Sequence, residues 1–93
     1  MTGSGVRTST FALRTSPNPF TSTTTINYSL PKAGNVSLKL YDVTGQLVKV
    51  LASGYHNAGT SSFIVPRSSL SSGIYVLKLE TETNTTTSKL IIE

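Results

Sequence analysis

The sequence predicts an all-β fold of two packed antiparallel sheets, and three observations carry that prediction. Apolar and polar residues alternate with a period of two in several separate runs. Those runs recur roughly every ten residues and are separated by Gly, Pro, Asn and Asp. Serine and threonine fill roughly a third of the chain, while charged residues make up only 13%, about half their usual share. Threonine with Val, Ile, Tyr and Phe suits a pleated, half-buried surface.

Length and cysteine content narrow the class. The 93 residues hold one small domain with one modest core, far short of the roughly 250 residues of a (β/α)8 barrel. There is no cysteine, so no disulfide and no thiolate ligand or nucleophile.

Residues 1–10 are small, polar and aperiodic and read as a flexible linker. Met-Thr-Gly-Ser-Gly at the start lacks the charged and apolar regions of a signal peptide. Residues 1–15 are assigned to a linker or an expression-derived segment, with room for a short first strand over residues 11–14. Residues 16–93 form the folded domain. Pro17 and Pro19 each fix φ and push their predecessors extended, which makes a stiff, non-helical entry.

Across residues 24–30, Ile26, Tyr28 and Leu30 share one face and Asn27 and Ser29 the other. Pro31-Lys32-Ala33-Gly34-Asn35 is a turn, after which Val36, Leu38 and Leu40 point inward, opposite Ser37, Lys39 and Tyr41. Two alternating runs across five residues predict a hairpin. A slip of one residue would turn three aliphatics to water. Residues 42–46 are the next turn, where Asp42 can accept from downstream amides and Gly45 can take positive φ.

Residues 47–52 are apolar, with Lys49 inside and no clear period, which a bulge or an edge strand explains. Residues 53–59 predict a Gly-bounded loop carrying Tyr55 and His56 and closed by Gly59. Phe63 and Val65 point inward from a strand ended by Pro66, and residues 68–73 are a polar turn around Leu70. Residues 74–81 form the strongest strand, with Tyr75, Leu77 and Leu79 on one side. A polar turn over 82–85 leads to a last strand over 86–92 with Leu90 and Ile92 inward. No amphipathic helix of useful length interrupts this series.

One open sheet would leave an apolar face wet, so two packed sheets fit better. In Leu70-Ser71-Ser72-Gly73-Ile74-Tyr75, a turn, a Gly and a Tyr entering a strand match the tyrosine corner of Greek-key sandwiches. The expected fold is an immunoglobulin/fibronectin-III-like antiparallel sandwich of about seven strands.

The net charge is +4 and the pI about 9.7. Arg7, Arg14, Lys32, Lys39, Lys49, Arg67, Lys78 and Lys89 are never closer than seven positions apart. Nucleic-acid footprints instead cluster Lys and Arg beside stacking aromatics, so the reading is a solvated, mildly basic surface with no nucleic-acid partner. No run approaches the roughly 18 apolar residues of a bilayer-spanning helix.

Chemistry-bearing residues are sparse: His56 and the acids Asp42, Glu80, Glu82 and Glu93. A Ser-His-Asp arrangement would need Asp42, His56 and a serine, but no Gly-x-Ser-x-Gly elbow supports it in the folded part. His56 is expected to be an exposed loop residue. Glu80 and Glu82 would stand about 7 Å apart on one strand face, between the retaining and inverting glycosidase separations. Beside a polar turn they read as solvated charges that discourage strand pairing. The spacing of the histidine and acids fits neither zinc nor a calcium loop. No catalytic residue, cofactor or metal is expected, nor a small-molecule substrate, and the chain should be a monomer. Phe20, Tyr28, Phe63 and Tyr75 fall at inward positions, leaving Tyr41 and Tyr55 as a candidate exposed pair for a sugar.

Several motifs in order carry a resemblance: Ser16-Pro17-Asn18-Pro19-Phe20; Thr24-Thr25-Ile26; Tyr28-Ser29-Leu30-Pro31; residues 34–45; Ala58-Gly59-Thr60; Ser72-Gly73-Ile74-Tyr75; and Lys89-Leu90-Ile91-Ile92. From Ser16 to Glu93 the chain resembles the C-terminal sorting domains, type A, of the type IX (Por) secretion system. It is also similar to the immunoglobulin-like domain of flagellar hook-capping proteins. The resemblance implies a non-catalytic sorting signal on secreted proteins of Bacteroidetes-type bacteria, with a cargo domain on its N-terminal side. It further implies periplasmic transit and recognition by an outer-membrane translocon. A surface sortase would then cut before Ser16 and attach the cargo, or the cargo would be released.

By motif, the recognition residues implied are Gly73 and Tyr75 with Lys89, Leu90, Ile91 and Ile92, while Pro17, Pro19, Phe20, Gly45 and Gly59 are structural. Glu93 departs from the basic residue common at its position, and Val65-Pro66-Arg67-Ser68 replaces an acidic turn. Physically, the last strand would offer an edge for β-augmentation, with Lys89 outward and Leu90 and Ile92 locked in the core. The alternative is a carbohydrate-binding or spacer module of an extracellular polysaccharide-degrading enzyme.

Overall fold

The computed structural model describes residues 11–67 and 70–93. The linker read at residues 1–10, together with Arg7, lies outside the described residues, as do Ser68 and Ser69 of the polar turn. Seven strands form: β1 (Ala12–Ser16), β2 (Thr23–Leu30), β3 (Gly34–Asp42), β4 (Leu47–His56), β5 (Gly59–Pro66), β6 (Gly73–Thr81) and β7 (Thr85–Ile92). Every ladder is antiparallel. A three-stranded sheet in the order β1-β2-β5 packs on a four-stranded sheet in the order β4-β3-β6-β7, the expected two-sheet sandwich.

Period-two burial builds the core between them. Ile26, Tyr28, Leu30 and Val65 of one sheet meet Val36, Leu38, Leu40, Tyr75, Leu77, Leu79, Leu90 and Ile92 of the other, all buried. Each fully buried leucine contributes about 1.5–3 kcal/mol relative to leaving it in water. Half-buried Phe63 and Leu13 pack against the rim of this cluster.

The hairpin expected between residues 24–30 and 36–40 does not form. β2 pairs with β1 and β5, whereas β3 pairs with β4 and β6, so the connection at residues 31–33 is an arch between sheets. Inward triplets satisfy their alternation equally well side by side or face to face across the core. Pro31 has no N–H to extend a ladder at the arch, and crossing over lets the two triplets bury one another.

The loop expected over residues 53–59 is also corrected. β4 runs through His56, leaving only Asn57 and Ala58 before β5. Gly54, with φ +126°, stays paired opposite Val36 and does not end the strand, and Gly59 opens β5 at φ +116°. β4 is an edge strand, and its register shifts opposite Leu38/Lys39 and Leu40/Tyr41. Leu51 and Val48 are the residues skipped, which explains the missing period in residues 47–52.

Local chemistry closes the turns. The Gly45 amide donates to the Asp42 carbonyl and the Asp42 amide to the Gln46 carbonyl, each at 3.0 Å. Gly45 sits at φ +90°, where a β-carbon would be strained. Where the chain crosses from β5 to β6, the Tyr75 hydroxyl donates to the Ser71 carbonyl at 2.8 Å: the tyrosine corner is present.

Candidate functional site

The residues singled out near the end of the sequence converge on one corner of the sandwich. In β7, Leu90 and Ile92 are buried while Lys89 is exposed, the parity the sequence predicts. Gly73 pairs with Ile92, and Tyr75 with Leu90. Gly73, Tyr75 and the Lys89-to-Ile92 run are therefore adjacent on β6 and β7, although a turn and two half-strands separate them in sequence.

The outer edge of β7 is not open along its whole length. Asn18 uses both ends of its amide on it: Nδ2 donates to the Lys89 carbonyl at 2.8 Å, and Oδ1 accepts the Ile91 amide at 2.9 Å. Phe20 continues the pairing in parallel, donating to the Ile91 carbonyl at 3.0 Å and accepting the Glu93 amide at 2.9 Å. Edge augmentation at Lys89-to-Glu93 is thus corrected, because the chain already supplies these partners. Pro17 and Pro19 bracket Asn18, and both peptide bonds into them are cis. The segment is anchored by Thr24, whose hydroxyl donates to the Pro17 carbonyl at 2.7 Å, and by the buried Phe20 ring.

Arg67, one of the departing residues, meets the other one. Its Nη1 donates to the main-chain oxygen of Glu93 at 2.6 Å, its Nε to the Leu70 carbonyl at 3.1 Å and its Nη2 to the Ser72 hydroxyl at 2.9 Å. A planar fork of donors suits such clamping. Sequence reading singled out neither Asn18 nor Arg67 for these roles. The only available signals were an amide held between two prolines and an arginine ahead of the Tyr75 corner.

Other candidates are kept apart. Asp42 ends β3, whereas His56 pairs with Gly34 at the strand's other end, about 27 Å away at ~3.4 Å per residue. His56 is half-buried at the end of a strand, not exposed in a loop, and its Nδ1 lies 3.0 Å from the Tyr28 hydroxyl. Tyr55 pairs with Asn35 and Tyr41 with Leu47, which separates the two phenols' strand positions by about 20 Å. They do not form one sugar platform. Glu80 approaches Lys78 at 3.9 Å, while Glu82 lies beyond the strand end. Among the described residues no group of His, Cys, Asp and Glu is placed to hold a metal.

Asp42 instead organises its own turn. One carboxylate oxygen accepts from the Thr44 hydroxyl at 2.6 Å, the Thr44 amide at 2.9 Å and the Gln46 amide at 3.0 Å. These donors, the Thr44 hydroxyl foremost, hold its pKa below the ordinary aspartate value.

Fold and geometry together define a small immunoglobulin-like sandwich whose distinguishing features are a clamped strand edge and exposed sheet faces. A family model for the secretion system C-terminal sorting domain matches residues 15–93, and the chain belongs to that family, the sorting domains of type IX secretion. Comparison with curated proteins finds no match. Membership implies a cargo on the N-terminal side, a secretion machinery that handles it, and export to the cell surface or medium.

Proposed function

We propose that this domain carries its cargo through the periplasm and across the outer membrane by being recognised, already folded, by an outer-membrane translocon. A surface sortase then removes it in the segment before Ser16 and attaches the cargo, or the cargo is released. The domain does this without bond-making chemistry of its own. The observation that carries the reading is the match over residues 15–93, which spans the sandwich almost from its first strand. The recognition residues are Gly73, Tyr75, Lys89, Leu90, Ile91 and Ile92. Lys89 provides contact from an exposed position, while Tyr75, Leu90 and Ile92 hold its strand in the core.

The test is fusion of the whole 93-residue chain to a periplasmic reporter in a bacterium that possesses the system. Surface appearance of the reporter is expected, and its retention in the periplasm with the domain folded would refute the reading.

A further inference from the structure

Sequence spacing scatters the basic residues, but the fold gathers three of them. On the outer face of the four-stranded sheet, Leu47, Tyr41, Val76 and Lys89 form one continuous row of cross-strand partners. The adjacent row contains Val50, Lys39, Lys78 and Thr87. Leu47 is 52% exposed and Val50 48%, so the rows alternate apolar surface with ammonium groups. Lys39 stands directly opposite Lys78, and like charges so placed destabilise a sheet. Lys78–Glu80 is the one ion pair among the described residues, and it leaves Lys39 and Lys89 without a carboxylate.

The other sheet presents a different face. There the polar side chains satisfy one another across strands: Ser62 donates to Asn27 at 2.7 Å, and Ser29 and Thr60 are 3.2 Å apart. We propose that the outer face of the four-stranded sheet, where Tyr41, Leu47 and Val76 lie amid Lys39, Lys78 and Lys89, docks on an acidic, partly apolar protein surface of the export machinery. The inference rests on the sorting function proposed above and adds the surface and the chemistry of its partner. Carboxylates from a partner relieve the Lys39–Lys78 repulsion at the middle of the sheet, and apolar groups cover Val76 and, on the edge strand, Leu47, so charge and apolar area are both matched across the contact. An anionic membrane calls for clusters of about four to eight Lys and Arg, more than this face carries.

Lys39→Glu tests this directly, because it places opposite charges across β3 and β6 and should raise the melting temperature by a few degrees while removing docking. In an NMR titration of the full chain with a soluble glutamate-rich peptide containing leucines, shifts are expected at Lys39, Tyr41, Val76 and Lys89. They should weaken with salt and fall at least about tenfold in affinity in Lys39→Glu. Shifts centred on Asn27 and Ser62 would overturn the proposal, as would unchanged affinity in the variant. So would no response to the peptide beside a response to phosphatidylglycerol vesicles or a DNA oligonucleotide. In the reporter fusion, Lys39→Glu should lower surface appearance about tenfold and Arg14→Glu should not. Normal export of Lys39→Glu would also overturn the proposal. If the unaltered fusion never reaches the surface, the sorting function itself fails and the peptide titration alone decides the docking face.

Discussion

The Tyr28 hydroxyl and Nδ1 of His56 lie 3.0 Å apart, with their rings 6.0 Å apart and tilted by 44°, and this contact joins the two sheets. Tyr28 comes from the centre of the three-stranded sheet and His56 from the end of an edge strand in the other. Tyr28 is buried, so removing the imidazole leaves a phenol without its partner. His56→Ala should cost about 1–2 kcal/mol in urea unfolding. In a double-mutant cycle with Tyr28→Phe, the second substitution should cost about 0.5 kcal/mol or more less than it does alone. Strict additivity would show that the contact contributes nothing.

The Tyr75 corner makes a second case. Its hydroxyl bond to the Ser71 carbonyl ties the crossover between sheets to the start of β6. Tyr75→Phe keeps the ring in the core and deletes only that bond. A loss of about 1 kcal/mol is expected, or about 4–8 °C in the thermal midpoint of a domain this size. An unchanged midpoint would mean that the crossover is held by packing alone.

Which residues face the core was legible in the sequence, because parity is a local property. Ile26, Tyr28 and Leu30, Val36, Leu38 and Leu40, and Tyr75, Leu77 and Leu79 all lie where alternation puts them. Which strand pairs with which was less legible. The triplets of β2 and β3 have the same parity in a hairpin as in an arch, and only the global packing chooses. Long-range polar contacts were silent for the same reason. Asn18 reaches partners 71 and 73 residues away, and His56 meets a tyrosine 28 residues away. The lysines misled in the opposite direction, since wide spacing in sequence became direct opposition between Lys39 and Lys78.

Asn18 guards an edge. Its amide occupies the Lys89 carbonyl and the Ile91 amide, groups that would otherwise be a template for another strand. Asn18→Ala should lower stability by about 1–2 kcal/mol and make the protein self-associate with rising concentration. Light scattering on the eluting protein would check this. A variant that stays monomeric and keeps its unfolding midpoint would show that Phe20 alone protects the edge.

Asp42 sets the acid limit of the β3–β4 turn. Its folded pKa is lowered, chiefly by the Thr44 hydroxyl and then by the Gln46 amide, so the native state favours the carboxylate more than the unfolded chain does. The sign follows from linkage: the contribution is fully present above the ordinary aspartate value of 3.8 and is lost as the pH falls through the lower folded value. Near neutral pH the turn should therefore be insensitive to pH. On acidification, the Thr44 and Gln46 amide resonances should move together with the Asp42 carboxyl carbon, at a midpoint below 3.8. In Asp42→Asn those amide shifts should stay flat over the same range. A wild-type midpoint at or above the ordinary value would mean that the Thr44 and Gln46 donors do not hold the carboxylate in solution.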